Sequence, residues 1–311
     1  MTKRKPGFLV GKLLLCGLCA TILMAFVGSA LIPGGAQAAD KLLVYVVNYP
    51  LQYFAERVAG EHAVVVFPAP PDQDPAFWTP DVEAISAYQR ADLILLNGAG
   101  YARWVAKVSL PRSRMVDTSV KFKDQYIPLK GVVSHSHGAA GKHAHGDLAF
   151  TTWIDFKLAA GQARVVADAL IRKKPALKTV FLKNHAALQE DLLELDRQLN
   201  ALVSAATGRP LVGSHPVYDY LARRYGLNIK SVHWEPDEIP GHDRWKELMD
   251  LLEGHPANWM IWEGEPAGET VAKLKAIGVA SLIFDPCGNV PDKGDFLTVM
   301  RTNLNNLKKA F

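Results

Sequence analysis

PALKTVFLKNHAALQEDLLELDRQLNALVSAATG, residues 175–208, holds no glycine or proline between its two ends. Leu188, Leu192, Leu195, Leu199 and Leu202 recur three or four residues apart within it, the spacing of one helix face. Some thirty helical residues reach about 45 Å at 1.5 Å per residue, enough to cross two neighbouring lobes. The same helix also suits the long core element of a single domain. The segments on either side favour the spanning reading.

Before it, residues 42–47 form an apolar strand run, residues 53–58 read as a helix, and residues 63–67 as a second strand. Residues 80–91 follow as a helix with Pro80 near its first turn and Val82, Ile85 and Tyr88 on one face. Residues 92–96 and 114–117 are further strands. After it the scheme repeats: strands at 210–213, 230–234, 259–262 and 281–284, helices at 218–225, 245–253 and 270–277. Gly226 and Gly278 stand where helices end. Continuous apolar strands alternating with helices make parallel sheets covered on both faces. The fold class is therefore α/β: two parallel-sheet lobes joined by one long helix, with a ligand cleft between them. The expected boundaries are an N-terminal lobe at 39–174, the spanning helix at 175–207 and a C-terminal lobe at 208–311.

Residues 1–38 read as a secretory signal peptide. Lys3, Arg4, Lys5 and Lys12 precede the apolar run 13–31, and Ala36-Gln37-Ala38 is a small-x-small cleavage site. The mature chain then opens at Ala39, outside the cytoplasm, in the periplasm or at the cell exterior. Leu18 before Cys19 is the wrong neighbour for a lipoprotein signal, so no lipid anchor is expected. Four of the 35 basic residues and none of the 31 acidic ones precede residue 39, which leaves a neutral mature chain. Neutrality gives no reason to expect nucleic acid or an anionic membrane as partner. Cys287 is the one cysteine beyond residue 39, so no internal disulfide forms there.

Ligands of open α/β sheets bind outside the strands' carboxyl ends. His215 follows the first strand of the second half and Asp285 follows the last. An imidazole with a carboxylate suits a borderline divalent ion such as zinc. Singly, His215 is also a plausible turn residue and Asp285 a plausible helix cap. A Ser214–His215 pair suggests hydrolysis only weakly, because adjacent strand residues face opposite ways. No nucleophile elbow, His-Glu-x-x-His helix or phosphate loop occurs.

The run 213–227, GSHPVYDYLARRYGL, resembles the third-ligand segment of the zinc and manganese solute-binding proteins of bacterial ABC importers, the cluster A-I type. Residues 281–286, SLIFDP, resemble the fourth-ligand strand of that family; Pro80-Asp81-Val82 with Ala91-Asp92-Leu93-Ile94 resembles the first-ligand region, and Thr152-Trp153-Ile154-Asp155 the second. The resemblance implies a monomeric extracytoplasmic receptor that hands a divalent metal, zinc or manganese, to an ABC importer permease and meets the membrane only there. It also implies His at two further ligand positions. Asp74 stands at the first of these and Thr151 at the second. Asp74 can coordinate through oxygen, whereas a protonated hydroxyl is a poor zinc ligand. A receptor of the same fold with a degenerate site, or one that takes a metal chelate, is the alternative.

The segment 134–147, SHSHGAAGKHAHGD, holds four of the ten histidines and has no apolar periodicity. It reads as an exposed loop with metal affinity. His135 and His137 are candidate capture residues. His143 and His145 are candidates for the vacant ligand place, since the six residues from His145 to Thr151 span at most roughly 20 Å. His62, His185, His233, His242 and His255 read as structural or solvated, and Trp104, Trp234, Trp259 and Trp262 as core.

Overall fold

The computed structural model describes residues 41–71, 73–129, 134–137, 141–144, 148–204 and 208–311, with backbone alone for 134–137 and 141–144. The expected signal peptide, residues 1–38, therefore lies outside the described residues. Among them no helix is long and apolar enough to cross a membrane.

Two four-stranded parallel sheets carry the fold. The first contains β1 (Leu42–Val46), β2 (Ala63–Val66), β3 (Leu93–Leu96) and β4 (Met115–Asp117), in the order β2-β1-β3-β4. The second contains β7 (Pro210–Gly213), β8 (Asn228–Ser231), β9 (Trp259–Trp262) and β10 (Ala280–Ile283), in the order β10-β9-β7-β8. Helices α1 (Tyr49–Ala59) and α2 (Val82–Arg90) connect the first sheet, and α5 (Asp219–Tyr225), α6 (His242–Gly254) and α7 (Gly268–Ala276) the second.

Between the sheets lie α3 (Phe156–Lys173) and α4 (Lys178–Ser204), packed against each other. Phe181, Leu188, Leu192, Leu195, Leu199 and Val203 of α4 are buried, so the expected face is the packed one; Leu202 is half-buried at its margin. Polar anchors show how α4 joins the halves. Asn184 donates to the Val58 carbonyl at 3.0 Å and Asp191 pairs with Arg57 at 2.7 Å, both on α1. One turn further on, Asp196 takes a two-pronged bond from Arg224 at 2.9 and 2.7 Å and accepts from Tyr225 at 3.1 Å, both on α5. The helix spans the halves and is also their core: a single hydrophobic cluster runs from Val44 and Phe54 through Leu192 to Tyr220 and Phe284. A smaller cluster around Trp234, Met260 and Trp262 backs the second sheet. The described residues from Lys41 to Phe311 accordingly belong to one compact unit.

Several boundaries differ from the expectations. The strand placed at 230–234 is Asn228–Ser231, so His233 and Trp234 lie beyond it. Val232 and Trp234 are buried and extend the pairing past the regular ladder, donating to the Gly213 and Ser214 carbonyls at 3.0 and 2.7 Å. Pro80 is outside its helix; Asp81 caps α2 by accepting the Ala84 N–H. His242 opens α6 and is not in a loop. The histidine-rich segment is not without structure: β5 (Ser134–His137) and β6 (Gly141–Ala144) pair antiparallel, with His135 opposite His143. Alternating Ser and His offers no apolar signal for such a hairpin. Helices α3 and α8 (Phe296–Leu307) were not anticipated, although Asp155 and Asp295 cap them through hydrogen bonds to helix N–H groups.

Candidate metal centre

Each strand of the second sheet delivers one chemically active side chain at its carboxyl end. His215 follows β7 by two residues, Glu235 follows β8 by four, Glu263 directly follows β9, and Asp285 follows β10 by two. All four line one cavity of about 460 Å³, which Asp74 and Thr151 close from the side of the first sheet.

Backbone pairing that continues past the strands holds these residues in place. Ser214 N–H bonds the Ile261 carbonyl at 2.8 Å, Trp234 N–H the Ser214 carbonyl at 2.7 Å, and Phe284 N–H the Trp262 carbonyl at 2.8 Å. Gly213 permits the close approach of β7 and β8: a Cβ there would meet Ser231 Oγ at 2.6 Å. The Val217 N–H then closes a tight turn on the His215 carbonyl at 2.9 Å. Asp285 is fixed from α8, where Asn303 accepts its N–H at 3.0 Å and donates to its carbonyl at 2.7 Å. Asp285 Oδ1 accepts the Cys287 N–H at 2.6 Å.

The His215 ring is 4% exposed and sits between two carboxyls. Its Nε2 lies 3.6 Å from Glu235 Oε1 and its Nδ1 lies 3.5 Å from Glu263 Oε1. His215, Glu235 and Glu263 each offer a donor atom within 4.8 Å of the other two. Burial, and then the charges of Glu238, Asp74 and Asp237, push Glu235 up to about 7. Burial, and then Glu235, Asp74 and Asp285, push Glu263 well above the carboxylate range. Burial also raises Asp285, against the pull of the Cys287 N–H. Carboxylates only accept hydrogen bonds, so they cannot satisfy one another; a cation in the cavity offsets the cost of ionising them together.

The expected site residues thus fall into three groups. His215, Asp285 and Asp74 reach the cavity. Asp74 also builds its own turn, taking the Ala76 N–H on Oδ1 at 2.8 Å. Thr151 reaches the cavity wall, but its hydroxyl donates to the Val217 carbonyl at 2.6 Å and so ties the two halves together. Trp153 makes a parallel tie to the Pro286 carbonyl at 2.7 Å. Only backbone is described for His135, His137 and His143, and His145 lies outside the described residues. Glu235 and Glu263 were missed. The strand-end rule that singled out His215 and Asp285 points to both when applied to the expected strands 259–262 and 230–234, since Glu263 and Glu235 each follow directly.

A family profile described as ZnuA, zinc-uptake complex component A, periplasmic, matches residues 44–310. The chain belongs to this family. Among its relatives, this ZnuA-family chain is 27% identical over 310 residues to the zinc-binding lipoprotein AdcA of Streptococcus pneumoniae, with 96% of the chain and 60% of AdcA covered. It is also 27% identical over 290 residues to the zinc-binding protein AdcA of Streptococcus pyogenes, covering 56% of that protein. The ZnuA-family chain therefore spans about 60% of the length of these curated relatives. Its fold is similar to the Zn(II)-bound ZnuA-like domain of Streptococcus pneumoniae AdcA, with a TM-score of 0.74 at 23% identity over 87% of this chain and 98% of that domain. It is likewise similar to the metal-dependent lipoprotein YcdH of Bacillus subtilis, with a TM-score of 0.73 at 21% identity over 87% of this chain and all of that one.

Proposed function

We propose that the chain is the extracytoplasmic receptor of an ABC importer, binding a divalent metal ion, zinc first and manganese second, in the cleft and passing it to the membrane permease. It acts as a monomer, and it is exported by cleavage before Ala39. The observation that carries this reading is the convergence of an imidazole and three carboxyls from four strand ends on one cavity. Family membership supports zinc as the ion, as do the zinc-binding relatives. His215 is the nitrogen ligand, and Asp285 and Asp74 add oxygen donors from opposite walls. The histidines of the hairpin region, His135, His137, His143 and His145, capture ions from solution. Nothing favours hydrolysis: Ser214 is fully buried and its hydroxyl has no hydrogen-bond partner among the described residues.

Equilibrium dialysis of the purified chain against zinc and manganese tests the proposal. One ion should be retained tightly per chain, and His215→Ala should abolish that retention. Absence of a tight ion in the unaltered chain, or full retention in the His215→Ala chain, would overturn it.

A further inference from the structure

We propose that Glu235 and Glu263 are themselves ligands of the transported ion, flanking His215, so that the centre is a one-imidazole, carboxylate-rich site built on three adjacent strand ends of one sheet. The inference rests on the receptor reading above and replaces the expectation that a second imidazole completes the shell.

Sheet geometry is the first argument. β7 lies between β9 and β8. Neighbouring strands run about 4.8 Å apart, so residues leaving adjacent strand ends arrive at that spacing. His215 comes from the central strand, and one carboxyl stands on each side of its ring. β10 is two places from β7, which explains why Asp285 lines the cavity without joining the close group.

Donor spacing is the second. Separations of 3.5 and 3.6 Å between ring nitrogens and carboxyl oxygens are long for N–H···O bonds. Donors about 2.1 Å from a tetrahedral ion stand about 3.4 Å from one another, so either separation by itself suits a pair of ligands on one ion. Glu235 and Glu263 offer oxygens within 4.8 Å of each other, and side-chain rotation can close the remaining gap of roughly 1 Å. The two ring nitrogens face different carboxyls, so the ion takes one nitrogen and draws the far carboxylate around the ring's edge.

The third argument concerns what the other candidates already do. The Thr151 hydroxyl is spent on the Val217 carbonyl, and one oxygen each of Asp74 and Asp285 holds a backbone N–H. Glu235 and Glu263 bring two further carboxyls to the ring of His215, with one donor atom from each of the three within 4.8 Å of the others. Such an oxygen-rich set takes borderline divalent cations with less preference for nitrogen than a multi-histidine site has.

The test is isothermal titration of the full-length chain with zinc chloride, beside Glu235→Gln, Glu263→Gln and the double variant. Each single change should weaken the tight site by at least about 10-fold and the double change by at least about 100-fold. Zinc X-ray absorption on the unaltered chain gives a second reading that does not depend on any variant folding. It should show one imidazole per ion, with oxygen making up the rest. Two or more imidazoles per ion, or a folded double variant that binds zinc as the unaltered chain does, would overturn the ligand set while leaving the receptor reading in place. An unaltered chain that binds no zinc overturns both.

Discussion

At the carboxyl edge of the first sheet stand Asn48 after β1, Asn97 after β3 and Thr118 after β4; at the same edge of the second stand His215, Glu235, Glu263 and Asp285. The first set is closed upon itself. Gln162 of α3 donates to Asn97 Oδ1 at 3.1 Å and to Thr118 Oγ1 at 3.0 Å, and accepts from Thr152 at 3.2 Å. Asn97 in turn donates to the Phe150 carbonyl at 2.9 Å, which fixes the strip that carries Thr151. Amides and hydroxyls hold both donors and acceptors, so a buried group of them can satisfy itself without any guest. Ionised carboxylates around one imidazole only accept, so they cannot. Two parallel sheets with the same edge geometry thus differ in their side chains, one edge forming a structural wall and the other the proposed binding wall.

The largest effects should fall on the binding wall. His215→Ala is expected to cost more than about 100-fold in zinc affinity, beyond the 10–100-fold usual for groups outside the ligand shell. Thr151→Val is expected to cost less than about 10-fold by the same scale, since that hydroxyl bonds a backbone carbonyl across the cleft. Paired calorimetric titrations check both, and equal losses would erase the distinction between the walls.

The converse holds for stability. Gln162→Leu removes the bonds donated to Asn97 and Thr118 and the one accepted from Thr152, all in a fully buried network, and should destabilise the metal-free chain by about 2–3 kcal/mol. Its zinc affinity should stay within a few-fold of the unaltered chain. Urea denaturation and a zinc titration together decide this.

Acidity sharpens the comparison further. Glu235 is held at about 7 in the folded metal-free chain, above its ordinary value. A carboxyl raised in this way binds its proton more tightly folded than unfolded. Its proton therefore stabilises the fold in acid, and that stabilisation is lost as pH rises from the ordinary carboxylate range through about 7. Glu235→Gln should leave the metal-free chain no less stable at pH 5 and more stable at pH 8, by on the order of 1 kcal/mol. Melting temperatures of both chains across that range, in the presence of a chelator, measure the difference. A gap that does not grow with pH would mean that Glu235 is not held in its proton-bearing form by burial and, after that, by the neighbouring carboxyls.

The smallest effect on the tight site is expected from the hairpin. Deleting residues 135–145 should remove weakly held zinc and change the tight affinity by less than about 10-fold, the lower bound of an outer-shell effect. A larger loss would return His143 or His145 to the ligand shell.

Periodicity and strand composition were enough to reveal the architecture. The leucines of α4 mark its buried face because a 3.6-residue period places them there wherever the helix sits, and apolar runs as short as β3 and β9 suit strands covered on both sides. His215 and Asp285 were legible because the carboxyl end of a parallel strand is a place that the order of elements alone defines. What the order cannot define is lateral position. That β7 stands between β8 and β9, and so brings Glu235 and Glu263 to either side of one imidazole, follows from strand pairing across residues far apart in the chain. The fate of Thr151 is of the same kind, because its partner, the Val217 carbonyl, lies 66 residues away. Local sequence sets which way a side chain can face within its own element; only the packed tertiary structure decides which distant groups meet it, and charge and hydrogen-bond chemistry depend on that meeting.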